Sequence, residues 1–391
     1  SSALSYTVNA VLPTAAAYAA GASSTTDYVL DGTNKILTIN TAKGAAFWSA
    51  SGTSYLGYTV LLANDVNVSG FSWTPVGGVA TKFVGTFDGQ GHSITGLTVD
   101  TDDYAGLFGY AQNSKIKNLC ISGSVRTSNN NLDFNSAGAL AGGAGYSTIV
   151  NCSSHADVTV TNSDGHACAG GLVGKTFAST AIQNCFSTGS ISATATASGS
   201  DTSIAYVGGI VWNNYESSVK NCYSVGSVTA NGATNSYAGG VVGSTNSGDL
   251  QYCYYLSSAA TKGIGVASGT PTVTGCGTIG GDKTSLTAGT ADQFISAQTL
   301  AYTGTLLENL NGWVSNAASA DYRTWQADSE NTNGGYPMLG AAWVTSLNLT
   351  DVDCDVAAGK FTGTTTNMQY SLDGGSTWQD CTANNTAGLT F

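Results

Sequence analysis

The sequence predicts an all-β chain: a right-handed parallel β-helix (a solenoid) with short helical caps, then a small C-terminal antiparallel β module. Three observations lead there. Cysteines recur at 152, 185, 222 and 253, in steps of 33, 37 and 31 residues, within TIVNCSSHADV, AIQNCFSTGSI, SVKNCYSVGSV and DLQYCYYLSSA. About twelve residues before each, and before Leu119 in an earlier copy, lies a glycine–apolar block, at 105–109, 138–142, 170–174, 208–212 and 239–243. Each copy holds short β-type runs split by Gly, Asn and Ser, with no helical period. A repeat near 33 residues without helices fits one coil of a β-helix, three short strands and three turns, stacked about 4.8 Å above the last.

Each element follows from side-chain direction. The apolar residue three before each cysteine (Ile149, Ile182, Val219, Leu250) has the opposite parity to the cysteine place. On a straight strand the two would face opposite sides. If both face inward, the chain must turn a corner between them, at Asn118, Asn151, Asn184 and Asn221. Asn tolerates the left-handed conformation and can hydrogen-bond to its stacked neighbour, which predicts an asparagine ladder. Leu119, Cys152, Cys185, Cys222 and Cys253 then form an inward column of small apolar groups, reduced rather than disulfide-bonded. Segment 41–51 predicts a helix closing one end, and 290–312 a second cap. Residues 313–340, with Trp313, Trp325 and Tyr336, are expected to seal the C-terminal end. The first domain is thus 1–340. From 341 to 391 the alternation and the turn at Asp373-Gly374-Gly375 predict a small β-sandwich-like module. It reads as incomplete at Phe391, a route to self-association, with Cys354 and Cys381 as the disulfide candidates.

Composition narrows the function. The chain has 391 residues, a formal charge of −12, 51 glycines, four prolines and 9% charged residues. An acidic, weakly charged surface of hydroxyls and amides excludes nucleic acid, whose phosphates demand basic groups. No apolar run is long enough to span a bilayer, so membrane insertion is not expected. The same composition points to a secreted or cell-surface protein.

These motifs resemble the GLUG-motif proteins, named for the Gly-Leu-Val-Gly-type block seen at 170–174. YTVLLANDVNVSGFSWTPVGG (58–78), FVGTFDGQGHSITGLTV (83–99) and ENTNGGYPML (330–339) resemble further family stretches. The resemblance covers roughly residues 30–340. It implies bacterial surface repeats, including a non-catalytic part of IgA-cleaving metallopeptidases. The three histidines here, His92, His155 and His166, form no HExxH, so the zinc protease machinery is missing.

Chemistry is sparse in the sequence. Asp157, Asp164, Asp201, Glu216 and Asp249 lie in neighbouring coils but share no repeat position, and a glycosidase needs two facing carboxylates. Arg126, Lys175 and Lys220 are scattered, which argues against a lyase. Phe186, Tyr223 and Tyr254 each follow a ladder cysteine. If the cysteine points in, they point out and stack, and with Trp212 and Tyr215 they make a candidate strip for glycan or a protein partner. The other reading is a strip that stabilises the stack or packs under the C-terminal segment. No cofactor is expected. Asp351, Asp353 and Asp355 are weak Ca²⁺ candidates. The function read from this is a non-catalytic adhesion or structural module. The alternatives are a polysaccharide lyase or glycoside hydrolase, or a subunit of an extracellular filament.

Overall fold

The computed structural model describes residues 11–128, 134–196, 203–302 and 304–340, with the backbone of four short strands further on. Two compact units divide at Ala342 and Trp343.

The first unit is a parallel β-helix. The coil at 148–177 runs through Thr148–Val150, Ser153–Ser154, Asp157–Asn162, His166–Gly170 and Val173–Phe177. Each strand pairs in parallel with its counterpart one coil above. The three-strand coil is therefore corrected to five strands. The extra pair, Asp157–Asn162 outward and His166–Gly170 back, forms a side arm that uses the residues three strands cannot. First strands build a ten-stranded sheet ending at Thr272–Thr274. In it Phe87, Ile116, Ile149, Ile182, Val219 and Leu250 stack in register. All six side chains are buried in one continuous core.

Both ends are closed by apolar plugs. At the N-terminal end lie helices α1 (Ala15–Tyr18) and α2 (Ala42–Ser51). Thr41 caps α2, its hydroxyl accepting the Gly44 N–H. The α2 residue Trp48 is fully buried against Trp73, Phe87 and Phe108. At the other end α3 (Ala291–Phe294) sets Phe294 onto Tyr255, with ring centroids 5.8 Å apart. Strand Leu286–Ala288 joins antiparallel to Gly277–Ile279 there.

Residues beyond α3 do not seal that end as the sequence suggests. Helix α4 (Leu306–Ala317) and the strap at 318–340 lie along the side of the solenoid. The outward aromatic column is an apolar strip that water penalises, and the strap covers it. In the second unit, Asp353–Asp355 pairs antiparallel with Lys360–Thr362, and Gln369–Tyr370 with Gln379–Asp380. The side chains of Asp351, Asp353, Asp355, Cys354 and Cys381 lie outside the described residues.

Candidate functional site: an aromatic groove on the outer face

The ladder residues occupy one corner of each coil. Asn118, Asn151, Asn184 and Asn221 all have φ between 51° and 56°. Each amide donates to the coil below: Asn221 to Asn184 at 2.7 Å, Asn184 to Asn151 at 2.8 Å, Asn151 to Asn118 at 3.0 Å. Asn118 ends the row on the Asp88 carboxylate at 3.0 Å. Beside it Leu119, Cys152, Cys185, Cys222 and Cys253 point inward and are buried, and Cys276 extends the column. All the described cysteines are free. Burial pushes the Cys152, Cys222 and Cys276 thiols well up from their ordinary range. A neutral, enclosed thiol is a packing group rather than a nucleophile. A second left-handed corner, at Asn113, Tyr146, Ser179, Glu216 and Ser247, was not legible in the sequence. Residues as different as Tyr and Glu occupy it, so no residue type marks it.

The outward aromatic column exists but is closed to ligand. Phe186 and Tyr223 stack at 5.0 Å with planes 3° apart. Phe186, Tyr223 and Tyr254 are buried, with relative exposures of 2%, 0% and 0%. Trp325 packs on the first two at 5.9 and 5.6 Å. The Tyr223 hydroxyl donates to the Pro337 carbonyl at 2.6 Å. These three residues are therefore corrected from ligand candidates to the seat of the strap. The strap also reads the asparagine ladder. Asn151 and Asn184 donate to the Asp321 and Arg323 carbonyls, and Trp325 Nε1 donates to Asn184 Oδ1 at 2.7 Å.

An open aromatic surface lies elsewhere, where the return strand of the arm meets the next strand. The glycine pair there bends the chain sharply. A Cβ on Gly170 would fall 1.9 Å from the Val173 carbonyl oxygen, and one on Gly171 would fall 2.1 Å from that of Gly209, one coil up. The bend folds the outer faces of the two strands toward each other. Cys168 and Trp212 are consequently buried without belonging to the interior core. Trp212 Nε1 donates across the corner to Ser136 Oγ at 2.9 Å. The strands flanking this corner stack coil on coil up the solenoid, so their outer faces meet along it.

Aromatic rings line it. Tyr206 stacks on Tyr237 at 5.3 Å and tilts against Trp212 at 5.5 Å. Lower down, Tyr104 and Tyr110 meet at 5.7 Å, and Tyr110 meets Phe177 at 6.1 Å. Glycine rungs make this possible: a Cβ on Gly143 would strike the Tyr110 ring at 2.7 Å, so the ring lies flat across the coil above. Lys175 Nζ sits 4.3 Å from the Phe177 ring centroid and 5.9 Å from that of Trp212. Desolvation lowers its pKa. Burial, then the neighbouring Tyr104 and Tyr146, pushes the Tyr110 hydroxyl up to about 12. The groove thus offers flat apolar faces, neutral phenols and an ammonium. Tyr215, half-buried, shares a rung position with Asn246 beside the groove.

The remaining candidates do not assemble an acid–base site. Glu216 and Asp249 line one shallow depression with Ser179, Thr180, Ser217, Ser218 and Ser247. Asp249 is committed to Lys220 Nζ at 3.1 Å and to the Gln251 amide. Glu216 is exposed. Neither has the enclosed setting that tunes a general acid. Asp157 accepts the Ser190 N–H, Asp164 closes a turn on Asn162, and Asp201 lies outside the described residues. His155 pairs with Thr188 Oγ1 at 2.7 Å, and His166 packs on Tyr206. Arg126 Nε donates to Ser124 Oγ. Among the described residues no group of three metal-ligating side chains occurs, and no helix is long and apolar enough to cross a membrane.

Comparison with known proteins agrees with the repeat. The family model described as the GLUG motif matches residues 165–192 and 204–229. Both copies span a glycine–apolar block and the cysteine corner after it. A protein from Evansella cellulosilytica described as "Putative Gly-rich membrane protein" is 32% identical over 80 residues, 18% of this chain. The match spans only 9% of that relative's length. A crystal structure from Bacteroides ovatus, titled a "putative immunoglobulin A1 protease", aligns with TM-score 0.45 at 19% identity, over 78% of this chain and 92% of that one.

Proposed function

We propose, from the premise that this chain is a GLUG-repeat parallel β-helix protein, that it is a non-catalytic extracellular surface module that binds glycan in the aromatic groove. The carrying observation is the row of rings at Tyr104, Tyr110, Phe177, Tyr206 and Tyr237 along this corner, with Lys175 among them. Sugar rings present C–H faces that stack on aromatic faces, and hydroxyls that phenols and an ammonium hydrogen-bond. The low charge and the hydroxyl- and amide-rich surface suit a protein outside the cell. The Evansella relative's description as a membrane protein is in keeping with a place at the envelope.

A glycan array followed by titration of the strongest hit tests the reading. Tyr110→Ala and Tyr206→Ala should each weaken binding about tenfold, the equivalent of ~1.4 kcal/mol. Glu216→Gln should leave it unchanged. An array without any hit, or affinity indifferent to both tyrosines, would overturn the proposal. Polysaccharide turnover abolished by Glu216→Gln would replace it with a hydrolase.

A further inference from the structure

The arm stops one coil before the solenoid does. From Cys152 to Cys253 each repeat carries an outward and a return strand, but the step from Cys253 to Cys276 is only 23 residues. That coil passes from Tyr254–Leu256 to Ile264–Ser268 and omits the arm. Val228–Gly232 and Asn235–Gly239 are therefore terminal strands of their sheets. Each pairs below, with Ile191–Ala195 and Ile204–Gly208, and with no strand above among the described residues.

Burial registers the missing layer. One coil down, Ile191, Ala193, Ala205 and Val207 are fully enclosed. The equivalent Val228, Ala230 and Ala238 are only half-buried, and Ser236 is exposed. Among the described residues Tyr237 has no strand partner above it, while its ring stacks on Tyr206 below. Open edges of this kind are normally defended by charge, proline or a bulge. Residues 221–248 contain no charged residue and no proline.

We infer that this open end pairs with the same end of a second copy of this chain, in a twofold-symmetric dimer. The backbone edge selects an extended strand as occupant, and the geometry selects this one. The two edge strands belong to separate sheets that join at a corner, Gly232 lying against Asn235, and run in opposite directions with Ala230 across from Tyr237. Both are the central residues of five-residue strands. A twofold axis through that midpoint, perpendicular to the solenoid axis, pairs both strands antiparallel with their own copies at once. It sets Tyr237 against its counterpart and continues the ring stack. It also sends each main stack past the partner's arm, through the step left by the shortened coil. Such an isologous contact is closed, so association ends at two chains.

Sedimentation of the full chain across concentration tests this. The expected species is two chains, with amides 235–238 gaining hydrogen-exchange protection as concentration rises. Ser236→Lys and Asn231→Lys each place like charges diagonally across a symmetric edge, about 7–8 Å apart, and each should raise the dissociation constant at least about tenfold, while Ser236→Thr should not. Unchanged circular dichroism and melting of dilute variants would show that both still fold. A single-chain mass up to about 100 μM, the range of weak specific pairs, would overturn the inference. So would assemblies larger than two, protection independent of concentration, or association indifferent to both lysines.

Discussion

A single asparagine does two jobs at each corner, and Asn184 shows both. Its φ of 56° is a conformation most L-residues avoid, and its amide and carbonyl join coils and strap together. Asn184→Ala should therefore destabilise by about 3–5 kcal/mol, from buried partners left unpaired plus backbone strain. Asn184→Gly relieves the strain and should cost about 1 kcal/mol less. Chemical unfolding of both variants checks this, and equal losses would mean the backbone term is negligible. His155 gives a pH dependence at the same scale. Desolvation lowers its pKa from 6.5, so the folded state favours the neutral ring. That contribution is complete above pH 6.5 and is lost as pH falls toward the lower folded value, because the unfolded chain takes up the proton first. Melting points of wild type and His155→Gln should converge as pH drops from 7.5 to 5. Parallel curves would show that this histidine does not titrate between the states.

At the scale of the element, the glycine pair is the hinge of three successive coils, at Gly170-Gly171, Gly208-Gly209 and Gly239-Gly240. The Cβ of Gly171→Ala would meet the Gly209 carbonyl, whereas nothing lies within 4 Å of a Cβ on Gly32. Gly171→Ala should prevent folding or lower the melting point sharply, and Gly32→Ala should be nearly silent; thermal melting of the pair distinguishes them. The strap is the second such element. Trp325→Ala removes a buried indole from Phe186, Tyr223 and the asparagine ladder, for a loss of about 3–5 kcal/mol. Its signature should be increased binding of an apolar dye as the aromatic column opens. A loss of stability without dye binding would show that the strap stays docked.

For the whole molecule, the solenoid is a stack of neighbours with plugged ends. Coils in such a stack open most easily from an end, since a middle coil has two interfaces to lose. Cys276 lies beneath the Phe294 plug and Cys185 in mid-stack, both buried. In mild denaturant a thiol reagent followed by mass spectrometry should label Cys276 well before Cys185. Simultaneous labelling of the whole column would mean that the coils unfold as one cooperative unit.

The sequence by itself determined the solenoid, its register from Ile116 upward, and the asparagine and cysteine columns, while below Ile116 the stacked residue is Phe87 and not Ile94. These depend on residues repeated at one place in every coil, and stacking identical groups is a local, periodic requirement. It did not determine which aromatic surface stays open. Phe186, Tyr223 and Tyr254 face outward as their parity dictates, yet a segment more than eighty residues beyond Tyr223 returns to cover them. Trp212 is brought to Ser136 and Tyr206 only by the fold at the glycine pairs. Exposure belongs to the assembled surface, and long-range packing decides it after local pattern has set the direction of each side chain.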